Sequence, residues 1–307
     1  MNNCNQPLVS VAVVTYNSAK YVLDTLNSIK EQTYKNIELI ISDDCSTDNT
    51  IELCKEWVKL NNSRFVRVQI LISPKNTGVS ANFNRAEIAC SGEWVKPIAG
   101  DDLLLPKCIE KCIEYAIKNN TTCLFGKVKI FGATVEKQLF FENKVFDYSF
   151  FNLNVEEQLN HLIFKQNCLP AASYFYNRSK IIELGITNDE RIPMLEDWPK
   201  WINLTKMGVK LHFIDKDVVC YRLSETSLST TSTPSDRMQQ SHSLLFIYYL
   251  FRPRFKSSKS TLKKLKELRR YIYSANNAFG GFFWGTLIKF DNIIARILSF
   301  LGCNIKI

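Results

Sequence analysis

The chain lacks most of the signatures that assign an α/β protein quickly. Its 307 residues include only 11 glycines. None of them forms a G-x-x-x-x-G-K phosphate loop, or a G-x-G-x-x-G turn after the first apolar run. That argues against the commonest nucleotide-binding versions of an open α/β sheet. The 10 cysteines run from Cys4 to Cys303 without one CxxC pair, so neither a disulfide framework nor a zinc site is signalled. Cys108 and Cys112 would lie one helical turn apart. Thiols scattered in this way fit small buried apolar residues in a reducing cytoplasm. Met1 to Pro7 is polar and uncharged, so no signal peptide is expected there. No internal repeat is visible. Long apolar runs are also missing: Tyr271 to Ile288 is 18 uncharged residues, at the lower edge of a membrane span, and it contains Asn276 and Asn277.

What is present is ordinary in bulk and uneven in detail. An apolar fraction of 46% with 22% charged suits a folded chain, with length for one elaborate domain or two small ones. The net charge of +9 is concentrated: Arg252 to Arg270 holds nine Lys and Arg against Glu267 alone. Such a run is either a solvated face or an attraction to an anionic surface. The aromatic stretches "AFGGFFWGTLIKF" and "IIARILSF" follow it, and together they read best as an interfacial helix at a membrane surface. A helical cap on the rest of the protein, or a true span, are the other readings. Gly281 and Gly285 form a lone G-x-x-x-G that decides nothing.

Periodicity organises the first half. Leu8 to Thr15 is a β-branched strand signal, closed by Tyr16-Asn17-Ser18. Tyr21, Val22, Thr25, Leu26 and Ile29 then fall at helical spacing. Ile37 to Ser42 repeats the strand and Thr47 to Leu60 the helix. Phe65 to Ile72, Gly78 to Cys90 and Glu93 to Ala99 continue as strand, helix and strand. This alternation predicts a parallel sheet of right-handed crossovers. Ligands in such sheets bind beyond the carboxyl ends of the strands, where the polar clusters Tyr16-Asn17, Asp43-Asp44 and Asp101-Asp102 all fall. After a helix over "CIEKCIEYAIK" and a strand "CLFGKVKIF", residues 132–151 read as irregular and aromatic. "AASYFYN" is a plausible strand, "MLEDWPKWINLTKMG" a loop entering a helix, and "VKLHFID" with "VVCYRL" a hairpin-like pair. "SETSLSTTSTPSD" reads as a loop or linker.

The order "VSVAVVTYN", "IISDDCSTDNT", "NTGVSANFNRA", "GEWVKPIAGDD", "LEDWPKWINL" and "VVCYRLSETSLS" resembles one family, the inverting glycosyltransferases of family 2 with the GT-A fold. The likeness spans about Pro7 to Ser229. It implies a Rossmann-like mixed α/β sheet flanked by helices, with a catalytic domain over 1–229. Residues 1–131 would form its nucleotide-sugar half and 132–229 its acceptor half, with a helical basic and aromatic extension over 230–307.

The resemblance also implies roles, each beside a plainer reading. "SDDCSTDNT" could be no more than a capped helix start. In the family the Asp matching Asp44 bonds the nucleotide base, and an aromatic matching Tyr16 stacks on it, with Thr15 and Asn17 beside them. Asp43 is the more structural of the two acids. Asn76 and Gly78 suit a turn into a helix whose amides face phosphate. Phe83 stands where an Arg is common, which leaves Arg85 or a metal to neutralise a diphosphate. The family's Asp-x-Asp motif is reduced here, since Ala99 takes its first position. Asp101 would bond ribose and Asp102 would hold Mg²⁺ or Mn²⁺, ions that accept one or two carboxylates plus phosphate oxygens. Two helix-capping aspartates before Pro106 are the plainer alternative.

Asp197 matches the family's catalytic base and Glu196 would orient acceptor or base, although a simple N-cap fits the sequence too, with Pro199 in the first turn. Trp198 and Trp201 are either a stacking surface for an acceptor sugar or core residues. Ser224 stands where relatives place a metal-binding His, and His161, His212 and His242 do not replace it. Arg222 would contact phosphate or a carboxylate.

These roles predict transfer of a hexose from a nucleotide sugar, a uridine diphosphate sugar above all, to a glycan or lipid-linked oligosaccharide of a bacterial cell surface. They place the protein in the cytoplasm, peripheral at the inner face of an anionic membrane, with no nucleic-acid partner. A non-catalytic nucleotide-sugar binder and a nucleotidyltransferase are the rival readings.

Overall fold

A computed structural model describes residues 6–144, 146–223, 236–245, 248 and 249. The first four strands are β1 (Val9–Thr15), β2 (Ile37–Asp43), β3 (Arg67–Ile72) and β4 (Trp94–Ala99), joined by helices α1 (Val22–Lys30), α2 (Thr50–Asn61) and α3 (Val79–Ala89). They pair in parallel in the order β3-β2-β1-β4. β1 and β2 are buried at every position, as strands covered by helices on both faces must be. Alternation then sorts their side chains between two cores. Val9, Val11 and Val13 join Leu26, Cys54 and Trp57 on one face, while Ala12 and Val14 join Ala86 on the other.

The second half extends this sheet. A two-residue β5 (Leu103–Leu104) and α4 (Cys108–Asn119) lead to β6 (Cys123–Phe131). Next come α5 (Val135–Lys144), α6 (Val155–Phe164), β7 (Phe175–Asn177), α7 (Arg178–Glu183), α8 (Asp197–Lys206) and β8 (His212–Arg222). The complete order is β3-β2-β1-β4-β7-β6-β8-β5. β7 runs antiparallel to both β4 and β6, β8 parallel to β6, and β5 antiparallel to β8. This is the mixed, helix-flanked sheet that the sequence implies. Cys108 and Cys112 lie fully buried in α4, and the eight described cysteines are all free.

Three expectations need correction. The hairpin expected from "VKLHFID" and "VVCYRL" is one continuous strand, β8. The Asp-Lys-Asp that looks like a turn is a bulge: opposite Gly126, Lys127 and Val128 the register jumps from Ile214 to Asp217 and then to Val219. Its acids pair sideways with β6, Asp215 with Lys127 and Asp217 with Lys129, so the chain never needs to reverse. The irregular region after Gly132 contains α5. "AASYFYN" is a strand only over Phe175–Asn177, because Ala171–Ser173 winds into a 3-10 turn fastened by Ser173 Oγ donating to Pro170 O at 2.8 Å.

A last described helix, α9 (Asp236–Leu245), packs on the turn before α8: Met194 N donates to Ser241 Oγ at 3.2 Å. Apart from Tyr248 and Tyr249, the remainder of the expected helical extension, with the basic run from Arg252 and the aromatic tail, lies outside the described residues, as does Ser224. No helix among the described residues is long and apolar enough to cross a membrane.

Candidate active site

The carboxyl ends of β1, β2 and β4 meet at one edge. Gly100 follows β4 so closely that a Cβ there would lie 2.8 Å from Thr15 Cγ2, so the acids after it abut the end of β1. Thr15 Oγ1 donates to Asp43 at 2.8 Å. Asp43 also accepts from Ser46 N and Ser46 Oγ. Asp43 is therefore a brace between the first two loops, in keeping with the structural part read for it. Asn17 and Cys45 turn those loops with φ of 50° and 68°, a left-handed conformation that Asn tolerates and Cys rarely adopts. Asn17 Oδ1 accepts from Thr47 N at 2.8 Å. Tyr16 stands just beyond β1, 49% exposed.

Asp44 is buried next to the end of β1, its backbone N donating to Thr15 O at 3.0 Å. Its carboxylate accepts from Thr77 N (2.9 Å), Thr77 Oγ1 (2.5 Å), Gly78 N (2.7 Å) and Arg85 Nη2 (3.3 Å). A carboxylate offers about four acceptor positions, so these donors use them all. Asp44 thus pins the β3–α3 loop, and a nucleotide base reaching it would have to displace a donor. Gly78, with φ of 99°, is required here twice over, since a Cβ would also meet Pro193 at 2.8 Å. Ser80 N and Oγ donate to Pro193 O and Ile192 O, which fastens α3 to the turn leading into α8. Arg85 is a strut: Nη1 donates to Asn82 Oδ1 at 2.9 Å and Nη2 to Thr77 Oγ1 at 2.9 Å. Asn76 Oδ1 accepts from Arg237 of α9.

Asp101 and Asp102 follow at the end of β4. Asp102 is 2% exposed, and its Oδ1 accepts from Arg222 N at 2.9 Å. Arg222 Nε donates to Asp101 O at 2.8 Å and Nη2 to Asp24 Oδ2 at 3.0 Å. The guanidinium is stacked 4.2 Å from the Tyr21 ring centroid and 4.5 Å from that of Phe131. Arg222 thus meets a carboxylate and the backbone of the acidic pair, one of its two expected contacts, and is held there by its neighbours. Burial raises the Asp101 carboxyl above its ordinary value, and burial together with the Asp101 charge raises Asp102 well above it. Two adjacent recessed carboxylates with oxygen-only chemistry fit a hard divalent cation that completes its shell with water and phosphate. Among the described residues no cluster of three or more acidic, His or Cys side chains supplies a fuller cage.

The register carries the chain that holds Asp197 toward the same edge. β7 is antiparallel to β4, with Val95 opposite Tyr176, so the chain before Phe175 runs toward the carboxyl end of β4. Fully buried Lys96 confirms the direction, donating from Nζ to Ala172 O at 2.6 Å. Asn167 lies farther along, and its Nδ2 donates to Asp197 Oδ2 at 2.7 Å. Asp197 Oδ1 accepts from Trp198 N at 2.6 Å at the first position of α8. Burial raises the Asp197 carboxyl, and burial with the neighbouring Asp197 charge pushes Glu196 up to about 8. The bonds from Trp198 N and Asn167 Nδ2 oppose that rise at Asp197.

The tryptophans do not form an acceptor surface. Trp198 is 9% exposed and its Nε1 donates to Leu162 O at 2.9 Å; Trp201 is 2% exposed and meets the Phe125 ring edge-on at 4.9 Å. Their spacing of three places both on the inward side of α8, which explains the correction. Asn167 carries no motif and was not expected to take part. A separate pocket of about 520 Å³ opens at the other end of α8, lined by Asn203, Lys206 and the 184–191 loop.

A family model described as Glycosyl transferase family 2 matches residues 10–182. An uncharacterized glycosyltransferase of Haemophilus influenzae is 27% identical over 238 residues, 75% of this chain and 69% of that one. The putative teichuronic acid biosynthesis glycosyltransferase TuaG of Bacillus subtilis is 25% identical over 228 residues, 73% of this chain and 82% of its own. Chondroitin synthase of Escherichia coli is 25% identical over 273 residues, 87% of this chain and 36% of the enzyme. Among solved structures, S. aureus TarS 1–349 in complex with UDP-GlcNAc superposes with a TM-score of 0.61 at 19% identity, over 86% of this chain and 71% of that one. The last is a likeness of fold.

Proposed function

The chain belongs to glycosyltransferase family 2, and from that membership we propose that it moves a hexose, with inversion, from a uridine diphosphate sugar to a hydroxyl of a glycan or lipid-linked oligosaccharide. The observation that carries the reading is Asp197, a half-buried carboxylate at the start of α8, held by Asn167 and by Trp198 N. The fold likeness to TarS with UDP-GlcNAc supports the donor class, and the relatives named for teichuronic acid and chondroitin support a polysaccharide acceptor.

In this reading Tyr16 covers one face of the base and the loop of Thr15, Asn17, Asp44, Asn76 and Gly78 frames it. Asp101 faces the ribose. A divalent cation held at Asp102 would offset charge growing on the diphosphate as it leaves. Arg222 keeps both acids in place, and Arg85 keeps Asp44 in place. Asp197 takes the proton of the acceptor hydroxyl, whose oxygen forms a bond to the anomeric carbon as the bond from that carbon to the diphosphate breaks. The nucleotide leaves with the bonding pair, and the anomeric configuration inverts in one displacement.

Labelled uridine diphosphate hexoses, incubated with an oligosaccharide acceptor, test this. The wild type should release free nucleotide and a labelled product of opposite anomeric configuration, and Asp197→Asn should lose about 10²–10⁴-fold in kcat while still binding donor. A wild type that binds donor yet yields neither product nor free nucleotide is a binding module, and release of pyrophosphate would mark a nucleotidyltransferase.

A further inference from the structure

One turn beyond Glu196, α8 carries Lys200, which is 3% exposed. Its Nζ donates to Glu87 Oε1 of α3 at 2.7 Å. The same ammonium lies 4.9 Å from the Tyr176 ring centroid and 5.4 Å from that of Tyr174. Glu87 Oε2 accepts from Asn188 Nδ2 at 3.3 Å, and Asn188 in turn donates to Asn84 Oδ1. A buried ion pair of this kind is a poor source of stability, because desolvation of both ions consumes most of their attraction. Its place one turn along α8 from Glu196 gives it other work. Residues four apart on a helix are neighbours, so Lys200 stands behind Glu196. The charges that act on Glu196 are those of Asp197 and Lys200 from α8 and of Glu87 from α3.

We infer that Lys200 and Glu87 are positioning residues, a charge-balancing couple that keeps a single proton in the Glu196–Asp197 pair and keeps it on Glu196. The inference rests on the transferase reading of Asp197. Two carboxyl groups side by side do not both ionise cheaply. Asp197 receives donors from Trp198 N and Asn167 Nδ2, which favour its anion. An unpaired Lys200 would draw the remaining proton off Glu196, and Glu87 opposes that pull. An unpaired Glu87 would hold the proton more tightly still. Balanced, the couple leaves Glu196 a neutral hydrogen-bond donor to an oxygen of the acceptor, beside an anionic base.

The test is a pair of opposite shifts. In the wild type kcat/KM should fall as pH rises through the ionisation of Glu196, near 8. Glu87→Gln leaves Lys200 uncompensated and should move that alkaline limb down by roughly one pH unit. Lys200→Met leaves Glu87 uncompensated and should move it up by a similar amount. The double variant, neutral at both positions, should return the limb to near its wild-type place, and Lys200→Arg, which keeps the charge, should leave it there. Carboxyl ¹³C NMR of Glu196, assigned with Glu196→Gln, should show the same displacements without any turnover.

If the wild type turns over no donor at any pH, the transferase reading fails, and the NMR titration still judges the couple. Limbs and titrations that stay fixed, or that move the same way in both single variants, overturn it. Should one single variant fail to fold, the other still decides by the direction in which its limb moves: down for Glu87→Gln, up for Lys200→Met.

Discussion

Asn167 holds Asp197 with a bond of 2.7 Å across 30 residues of chain. The amide is fixed in turn, because Asn167 Oδ1 accepts from Leu169 N at 3.3 Å, so its Nδ2 can only point at the carboxylate. That bond steers Asp197 and favours its anion against the burial that raises it. Asn167→Ala should lower kcat about tenfold, with donor KM unchanged. Losing a donor to the anion raises the Asp197 carboxyl further, so the acid limb of the pH–rate profile should shift to higher pH. A rate loss with no movement of that limb would mean that Asn167 acts on packing alone.

Trp201 offers a contrast between packing and recognition. Its ring contacts Phe125 at 4.9 Å and Tyr174 at 4.4 Å in the core between the sheet and α8. Trp201→Ala should cost about 3–5 kcal/mol of folding free energy, read from the urea midpoint. Trp201→Phe, which keeps most of the volume, should leave acceptor KM where it is. A selective rise in acceptor KM with Phe would restore the sugar-stacking part that the buried position denies it.

Arg85 and Asp44 separate support from substrate contact. The guanidinium reaches Asp44 Oδ1 at 3.3 Å and also ties Ser42, Asn82 and Thr77. Arg85→Met should therefore destabilise the fold by about 1–3 kcal/mol, less than a fully buried pair, because solvent reaches the 24% exposed Arg side chain. It should weaken uridine and UDP binding by similar factors, since it acts through the Asp44 loop. A loss confined to UDP would show a direct bond to phosphate instead.

Half of the chain was legible because its signals are local. β1 and β2 are continuous apolar runs, the helices between them carry a buried stripe at helical spacing, and their acids fall at strand ends by the geometry of parallel sheets. Beyond Phe131 the determinants are distant. β7 has three residues, too few for periodicity to show. In the bulge of β8, Asp215 and Asp217 pair with lysines that lie on β6, and no reading of "IDKDV" alone discloses that. The acidic motifs pointed to the right edge, yet the bonds that occupy Asp44 and Arg222 come from residues 33 or more positions away. Asn167 and Lys200 were invisible for the same reason: their meaning is given by their partners.

Glu196 supplies a last expectation, one that concerns stability. Burial and the Asp197 charge push it from 4.5 up to about 8, so the folded chain keeps a proton that the unfolded chain releases. Where the unfolded state binds fewer protons, stability falls with rising pH. The loss begins near the unfolded value and levels off above the folded one. Glu196→Gln removes that slope. At pH 5 the variant and the wild type should unfold at nearly the same urea concentration, whereas at pH 8.5 the variant should be more stable by about 1–3 kcal/mol, a figure reduced for the solvent that reaches this partly exposed group. Parallel stability curves between those two pH values would show that Glu196 ionises freely in the folded protein. In that case the neighbouring Asp197 would face a second anion, and the division of labour between the two carboxyls would be lost.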